Sequence, residues 1–392
     1  MTRVAPLAVL LLAAVFLATT GFQCGSAETT SAKLYMQQKQ WDKAEQSLLK
    51  EVQKNDKDAE AWFLLGQVRL ELKRYKDMDE AYTHSLQVSE THRPEISRNR
   101  LAVWAMLYNE GVKFYNEGRD SASSYDKAIE DFTTAIELEP DSSTTYYVAA
   151  LAWYAKKDYQ KAVATIETAL QKKPNFADAA KFLGQVHYQQ AVDRLSAKDE
   201  AGAQAEFVKA TQAFENVYKL EPDSISSINN LIDVYDRTKN MEKALALTRD
   251  AVAKQPNNKF FRFAYGVFLM KQDNFPSAIE QFEKTVSIDP SYSDAHYNLG
   301  VSYVNWGVSM KKAADEKAEA DQKKAGKGKH VNTDESYREK LKLALPHLEK
   351  SVELQADDAG KWMQLGRLYT MLNMPDKSRA AFEKSDSLSK TH

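Results

Sequence analysis

Residues 143–176 read STTYYVAALAWYAKKDYQKAVATIETALQKKPNF, and this stretch decides the fold. Tyr146, Ala150 and Trp153 recur at spacings of four and three, and Tyr159, Ala162, Ile166 and Ala169 do the same. Those spacings put side chains on one face of a helix, so the stretch predicts two amphipathic helices. Lys157 and Asp158 break the pattern between them, and Pro174 follows the second helix as a stop.

Prolines serve as rulers for the rest of the chain. Pro140 and Pro174 lie 34 residues apart, as do Pro222, Pro256 and Pro290 in succession. Extended outward, this frame divides the chain into nine units: 25–58, 59–92, 93–142, 143–176, 177–224, 225–258, 259–292, 293–358 and 359–392. A small residue recurs in the first helix of seven units, where two helices must approach closely: Ala32, Gly66, Ala150, Gly184, Gly266, Gly300 and Gly366. The second helix repeats an alanine (Ala44, Ala128, Ala162, Ala210, Ala244, Ala278, Ala344). Four residues on comes a bulky group: Leu48, Tyr82, Phe132, Ile166, Phe214, Phe282, Leu348 or Phe382. Unit 225–258 has Ile232 at the small position and Thr248 at the bulky one, which predicts a more loosely packed pair.

This order of aromatic, small and bulky positions, closed by proline at a period of 34, resembles the tetratricopeptide repeat. The resemblance implies an all-α, right-handed solenoid of about nine helix-turn-helix units, each burying its apolar face on its neighbours. It also implies that first helices line a groove. Carried onto this chain, the groove positions are Phe63, Tyr147, Tyr154, Tyr188, Asn229, Asp233, Asp236, Phe263 and Tyr297. Rings along a groove suit an extended or helical peptide, because they supply contact area with little rotamer entropy. The lysine-and-asparagine clamp of chaperone-binding repeats is absent from these positions, so capture of a C-terminal carboxylate is not expected.

Three units, 93–142, 177–224 and 293–358, are longer than the period by 16, 14 and 32 residues. At 3.6 residues per turn, 14 or 16 residues make about four helical turns shared between two arms. Three hairpin fingers projecting at the turns are therefore expected. In their first arms Asn109 and Gly111, Gln189 and Ala191, and Asn305 and Gly307 fall at matching places, an amide two residues before a small residue. The small residue would let the arms pack closely, and the amide would cap backbone or cross-helix hydrogen bonds. The last finger has a basic tip, Lys323, Lys324, Lys327 and Lys329, open to two readings: a solvated helical hairpin, or a contact with lipid phosphates or an acidic partner.

The first 23 residues are a different material. Arg3 precedes an apolar run, Val4–Ala18, interrupted only by Pro6, and Thr19-Thr20-Gly21 returns to small residues. This is the pattern of a secretory signal peptide, and the run is short for a membrane span. Cys24, the chain's single cysteine, follows directly and resembles the lipid-modified cysteine of bacterial lipoproteins. The alternative is cleavage after Gly25-Ser26-Ala27, which would remove it. Gly25-Ser26 is unlike an inner-membrane retention signal, so an outer-membrane location facing the periplasm is expected.

Chemistry is sparse. The sequence contains no GxxxxGK[ST], HExxH, GxSxG or calcium loop, and its seven histidines are dispersed, with His187 and His296 at packing positions. Neither an enzyme nor a cofactor is expected. Lys+Arg 53 against Asp+Glu 55 provides no field to favour nucleic acid. The expected function is an exported, lipid-anchored scaffold that holds a protein or peptide during envelope assembly or maintenance. The alternative is a solute- or glycan-capturing outer-membrane lipoprotein. Its hallmark would be a pocket of clustered tryptophans, yet Trp41, Trp62, Trp104, Trp153, Trp306 and Trp362 are spread over six units.

Overall fold

The computed structural model describes residues 26–325 and 335–390, with no side chain described from 322 to 334. Cys24 and the segment before it lie outside what is described, as do Lys327, Lys329 and the side chains of Lys323 and Lys324. The chain forms two compact units, one ending at Ala179 and one beginning at Ala180.

Up to Ala179 the helices are α1 (Ala27–Gln37), α2 (Trp41–Lys54), α3 (Ala59–Glu71), α4 (Tyr75–Val88), α5 (Arg93–Glu117), α6 (Ala122–Leu138), α7 (Ser143–Ala155) and α8 (Tyr159–Lys172). They are followed by α9 (Ala177–Ser196), α10 (Glu200–Leu220), α11 (Ile225–Arg237), α12 (Met241–Lys254), α13 (Lys259–Lys271), α14 (Phe275–Ile288), α15 (Ser293–Ala325), α16 (Tyr337–Leu354), α17 (Ala359–Met371) and α18 (Pro375–Ser389). The described residues are thus an all-α array of nine helix pairs, three of them lengthened, as the repeat pattern predicts.

One turn closes most pairs, and it has a physical signature. The Lys157 N–H donates to the Tyr154 carbonyl at 2.8 Å, and the Asp158 N–H to the Trp153 carbonyl at 3.0 Å. This pair of bonds satisfies carbonyls that the end of α7 leaves unpaired, and it requires a left-handed residue between the helices. Lys157 takes φ 62°, and Lys39, Lys73, Lys198, Lys239, Asp273 and Asn373 occupy the same place with φ between 55° and 61°. No glycine stands at any of them.

The small and bulky positions meet as the pattern requires. A Cβ on Gly66 would lie 2.3 Å from the Tyr82 ring, and one on Gly184 would lie 2.5 Å from Phe214. Tyr82 and Phe214 are buried beneath those glycines, so helix approach and ring burial are one event. The pair α11/α12, with Ile232 and Thr248, packs more sparsely than α13/α14. The buried Thr248 hydroxyl folds back on the Ala244 carbonyl at 2.7 Å instead of reaching across.

Of the long hairpins, α9/α10 shares its added length equally between its arms, as expected, and α5/α6 does not. In α9/α10 the arms have 20 and 21 residues, and the Lys198 turn is kept. Below it Ala191 packs with Ala203 and Phe207, one layer of seven residues beyond Gly184 and Phe214. In α15/α16 Gly307 meets Leu341 one such layer beyond Gly300 and Leu348. The pair α5/α6 breaks the equivalence: Gly111 lies over Phe132, as Gly184 lies over Phe214. Gly111 therefore matches Gly184 rather than Ala191. Most of the added length lies before it, in the opening turns of α5. There Ile96 is fully buried, the Asn99 amide donates to the Tyr82 hydroxyl at 2.8 Å, and Arg100 pairs with Asp79.

The amides of these arms do not bridge helices in the way expected. Gln189 donates to Asp193 on its own helix at 2.8 Å, while Asn109 and Asn305 are exposed.

Candidate partner-binding faces

In the first unit, α7 carries Tyr147 and Tyr154 two turns apart on one face, both partly exposed. The Tyr147 ring lies 5.2 Å from Phe176 and the Tyr154 ring 5.5 Å from Tyr159. Burial, followed by the nearby Asp178 carboxylate, raises the Tyr147 hydroxyl above its ordinary pKa. Phe63 is not a groove residue. It is 5 % exposed, stacked 4.1 Å from His92 and 6.0 Å from Tyr82, because the short 3-10 turn at 90–92 brings His92 over it.

In the second unit the predicted positions fall on three faces. Tyr188 of α9 meets Phe207 edge-on at 5.4 Å, and its hydroxyl is held between Asp233 and Arg237 of α11. Asp233 and Arg237 are 3.7 Å apart, and the Arg237 guanidinium lies 5.8 Å over the Phe207 ring. Burial and then Asp233 raise the Tyr188 pKa. Asn229 is exposed, and Asp236 is tied to Lys271 of α13 by an ion pair.

Phe263 of α13 is half-buried, 5.0 Å from Tyr292 and 5.8 Å from Phe282. Phe260, on the same helix, is 57 % exposed with its ring edge-on to Tyr292 at 6.2 Å. The Lys259 ammonium lies 5.0 Å over the Phe260 ring and bonds Asp289 at 2.5 Å. That bond and those from Ser291 pull the Asp289 carboxyl down to about 2. Tyr297 of α15 lies 5.9 Å beneath the Lys361 ammonium. Lys361 is itself buried, donating to Ser293, Asp294 and Gln355 at 2.6 to 2.8 Å.

Phe260 and Tyr292 were not among the positions carried over from the family pattern. The Phe260-Phe261 doublet holds the missing signal, because a doublet at helical spacing can bury only one of its rings. Phe261 is the buried one. These faces can cover apolar side chains with rings and meet charges with fixed, already paired ions.

The histidines sit in the packing. His187 is buried and bonds Glu206 at 2.7 Å, and Lys209 bonds the other carboxylate oxygen at 3.0 Å. His296 and His347 face each other with Nδ1 atoms 3.2 Å apart, and burial holds both below the ordinary histidine pKa. Among the described residues no three acidic, histidine or cysteine side chains gather to hold a metal ion. Among the same residues no helix is long and apolar enough to cross a membrane.

Three segments match known repeat families: residues 29–77 and 121–191 match a tetratricopeptide repeat, and residues 268–307 match a TPR repeat. A DnaJ homolog subfamily C member 7 homolog from Dictyostelium discoideum is 23 % identical over 58 % of this chain and 39 % of its own length. The Hsp70-Hsp90 organising protein of Plasmodium falciparum is 22 % identical over 45 % of this chain and 28 % of its own. The chain thus spans well under half the length of either curated relative. Among solved structures, the C-terminal part of a TPR repeat-containing protein from Cytophaga hutchinsonii is 14 % identical. It covers 73 % of this chain and 96 % of that one, at a TM-score of 0.49.

Proposed function

We propose, on the premise that this chain is built of tetratricopeptide repeats, that it is an exported, lipid-anchored scaffold. In this reading it holds a protein or peptide partner on its first-helix faces, in the assembly or maintenance of a bacterial envelope, and acts by binding rather than catalysis. The observation that carries the reading is the set of partly exposed rings on first helices. Tyr147 and Tyr154 form it in one unit, and Tyr188, Phe260, Phe263 and Tyr297 in the other. Partly exposed rings held by neighbouring rings and ions are preorganised for contact, so little ordering entropy is lost on binding. Export rests on the apolar run after Arg3, and the lipid anchor on the position of Cys24. The relative named as an organising protein supports a holding role.

A photoreactive group at Tyr188, activated in the native envelope, tests the partner. One crosslinked protein whose yield falls on Phe260→Ala or Tyr297→Ala supports the scaffold. No protein adduct, with a sugar or small molecule retained by the purified chain, overturns it in favour of solute capture. Incorporation of labelled palmitate, lost in Cys24→Ser, tests the anchor; no label in the wild type removes it.

A further inference from the structure

One side-chain lock recurs between consecutive pairs of the second unit. The Tyr235 hydroxyl donates to Glu215 at 2.9 Å, Tyr303 to Glu283 at 2.8 Å and Tyr369 to Glu349 at 2.7 Å. In each case the tyrosine lies in a first helix and the glutamate 20 residues earlier, in the preceding second helix. Two of the locks carry a third member. Lys243 reaches Glu215 at 2.7 Å and lies 5.9 Å over the Tyr235 ring. Lys377 reaches Glu349 at 3.4 Å and lies 5.3 Å over the Tyr369 ring.

The first and last described helices, α1 and α18, each hold half of such a lock. On α1 Tyr35 stands where Tyr235 and Tyr369 stand, since each accepts the closing bond of its own turn, from Gln40, Asn240 and Met374 respectively. The Lys43 ammonium lies 5.8 Å over the Tyr35 ring, so donor and cation are assembled without a carboxylate. On α18 Glu383 follows Phe382, which packs under Gly366, as Glu283 follows Phe282 under Gly266. Among the described residues no hydrogen bond or ion pair reaches Glu383, and none reaches the Tyr35 hydroxyl.

The surfaces around the two halves are also open. Leu34 precedes Tyr35 and is 53 % exposed, although its register position holds Val68, Val186, Val234, Phe268 and Leu368 elsewhere, each at most 2 % exposed. Glu383 lines a hollow on α18 with Met374, Arg379 and Phe382. A leucine of α1 has an apolar hollow to enter, and a glutamate of α18 has a tyrosine and a lysine to receive it.

We propose that a second copy of this chain covers the open face, with α1 of one copy seated on α18 of the next. Tyr35 and Lys43 then close on Glu383, and Leu34 enters the hollow beside Phe382. The contact joins two different surfaces, so it propagates from copy to copy unless the rotation closes a ring. It uses none of the rings proposed for partner contact on α7, α9, α13 and α15, and its outcome is independent of the partner they hold.

Sedimentation velocity of the purified chain over a concentration series tests it. The wild type grows beyond a dimer as concentration rises, while Leu34→Glu and Glu383→Lys, both at exposed positions, remain monomers with unchanged helical circular dichroism. Mixed one to one, the two variants form a heterodimer and stop there, because one supplies a sound α18 and the other a sound α1. Tyr35→Phe, which removes only the hydroxyl, weakens association about tenfold. A wild type that stays monomeric overturns the proposal. So does assembly unaffected by Leu34→Glu, which would point to α18 pairing with α18, and so do monomeric variants that do not rescue each other.

Discussion

The hairpins α5/α6 and α9/α10 exceed the repeat period by nearly the same length, and they spend it at opposite ends. In α9/α10 the excess lies between the close-approach glycine and the turn, as one added layer on each arm, and the turn itself is unchanged. In α5/α6 most of it precedes the glycine and lies on α4. An added layer of seven residues is nearly two helical turns, so it returns the apolar stripe to the same seam and disturbs nothing beneath it. The opening turns of α5 have no second arm opposite them, and they are held by the preceding pair instead.

Phe207→Ala gives the largest effect expected from this difference. Phe207 is 3 % exposed and fills the added layer of α9/α10, so its loss costs about 3–5 kcal/mol in urea denaturation. Tyr125, half-exposed above Gly118, costs less on truncation, about 1–2 kcal/mol. Equal costs would mean that both hairpins carry a structural layer beyond the glycine.

Gly111→Ala and Gly184→Ala come next. A methyl group at either site lies 2.5 Å from a buried ring carbon, so each destabilises by about 1–3 kcal/mol. A neutral Gly111→Ala with a damaging Gly184→Ala would separate the two glycines.

Acid separates α5/α6 from the finger α15/α16 by sign. Burial, then Glu110 and Glu130, raise the Asp131 carboxyl of α6 from 3.8 to about 6. Between those values the folded chain holds a proton that the unfolded chain does not, so α5/α6 gains stability as pH falls through about 6. His296 and His347 are depressed by burial and, for His347, by its neighbour. Below about pH 6.5 the unfolded histidines take up protons that the folded pair resists, so α15/α16 loses stability over the same fall. Hydrogen exchange at pH 7 and pH 5, corrected for intrinsic rates, reads both. Protection moving the same way in the two hairpins would refute the assignment.

The smallest effect is at the turn that α9/α10 kept. Lys198 has φ 61°, a conformation unfavourable for a side chain bearing Cβ. Lys198→Gly therefore raises stability by about 0.5–1 kcal/mol, the relief of strain less the added freedom of the unfolded chain. Calorimetry showing a loss would mean that the lysine side chain makes a contact worth more than its strain.

Much of this was legible in the chain. Spacings of three and four, small against bulky positions, and prolines at 34 identified the helix pairs, and Ile232 with Thr248 marked the sparsely packed one. Phe63 was misplaced because a groove position and a core position share the same helical register. Only the 3-10 turn that brings His92 over the ring decides between them. The lock of Tyr235, Lys243 and Glu215 went unread although its spacings are constant. Charged and hydroxyl groups at such distances are ordinary on any helix surface, and they acquire meaning only when packing brings them within hydrogen-bond reach.

By itself the sequence determined the repeating unit, its count and its turns, because helical periodicity and the behaviour of proline are local properties of the backbone. The tertiary structure alone decided where extra length goes, which rings remain exposed and which tyrosine finds a glutamate. Those outcomes depend on contacts between helices distant in the chain, and a residue's own neighbours carry no record of them.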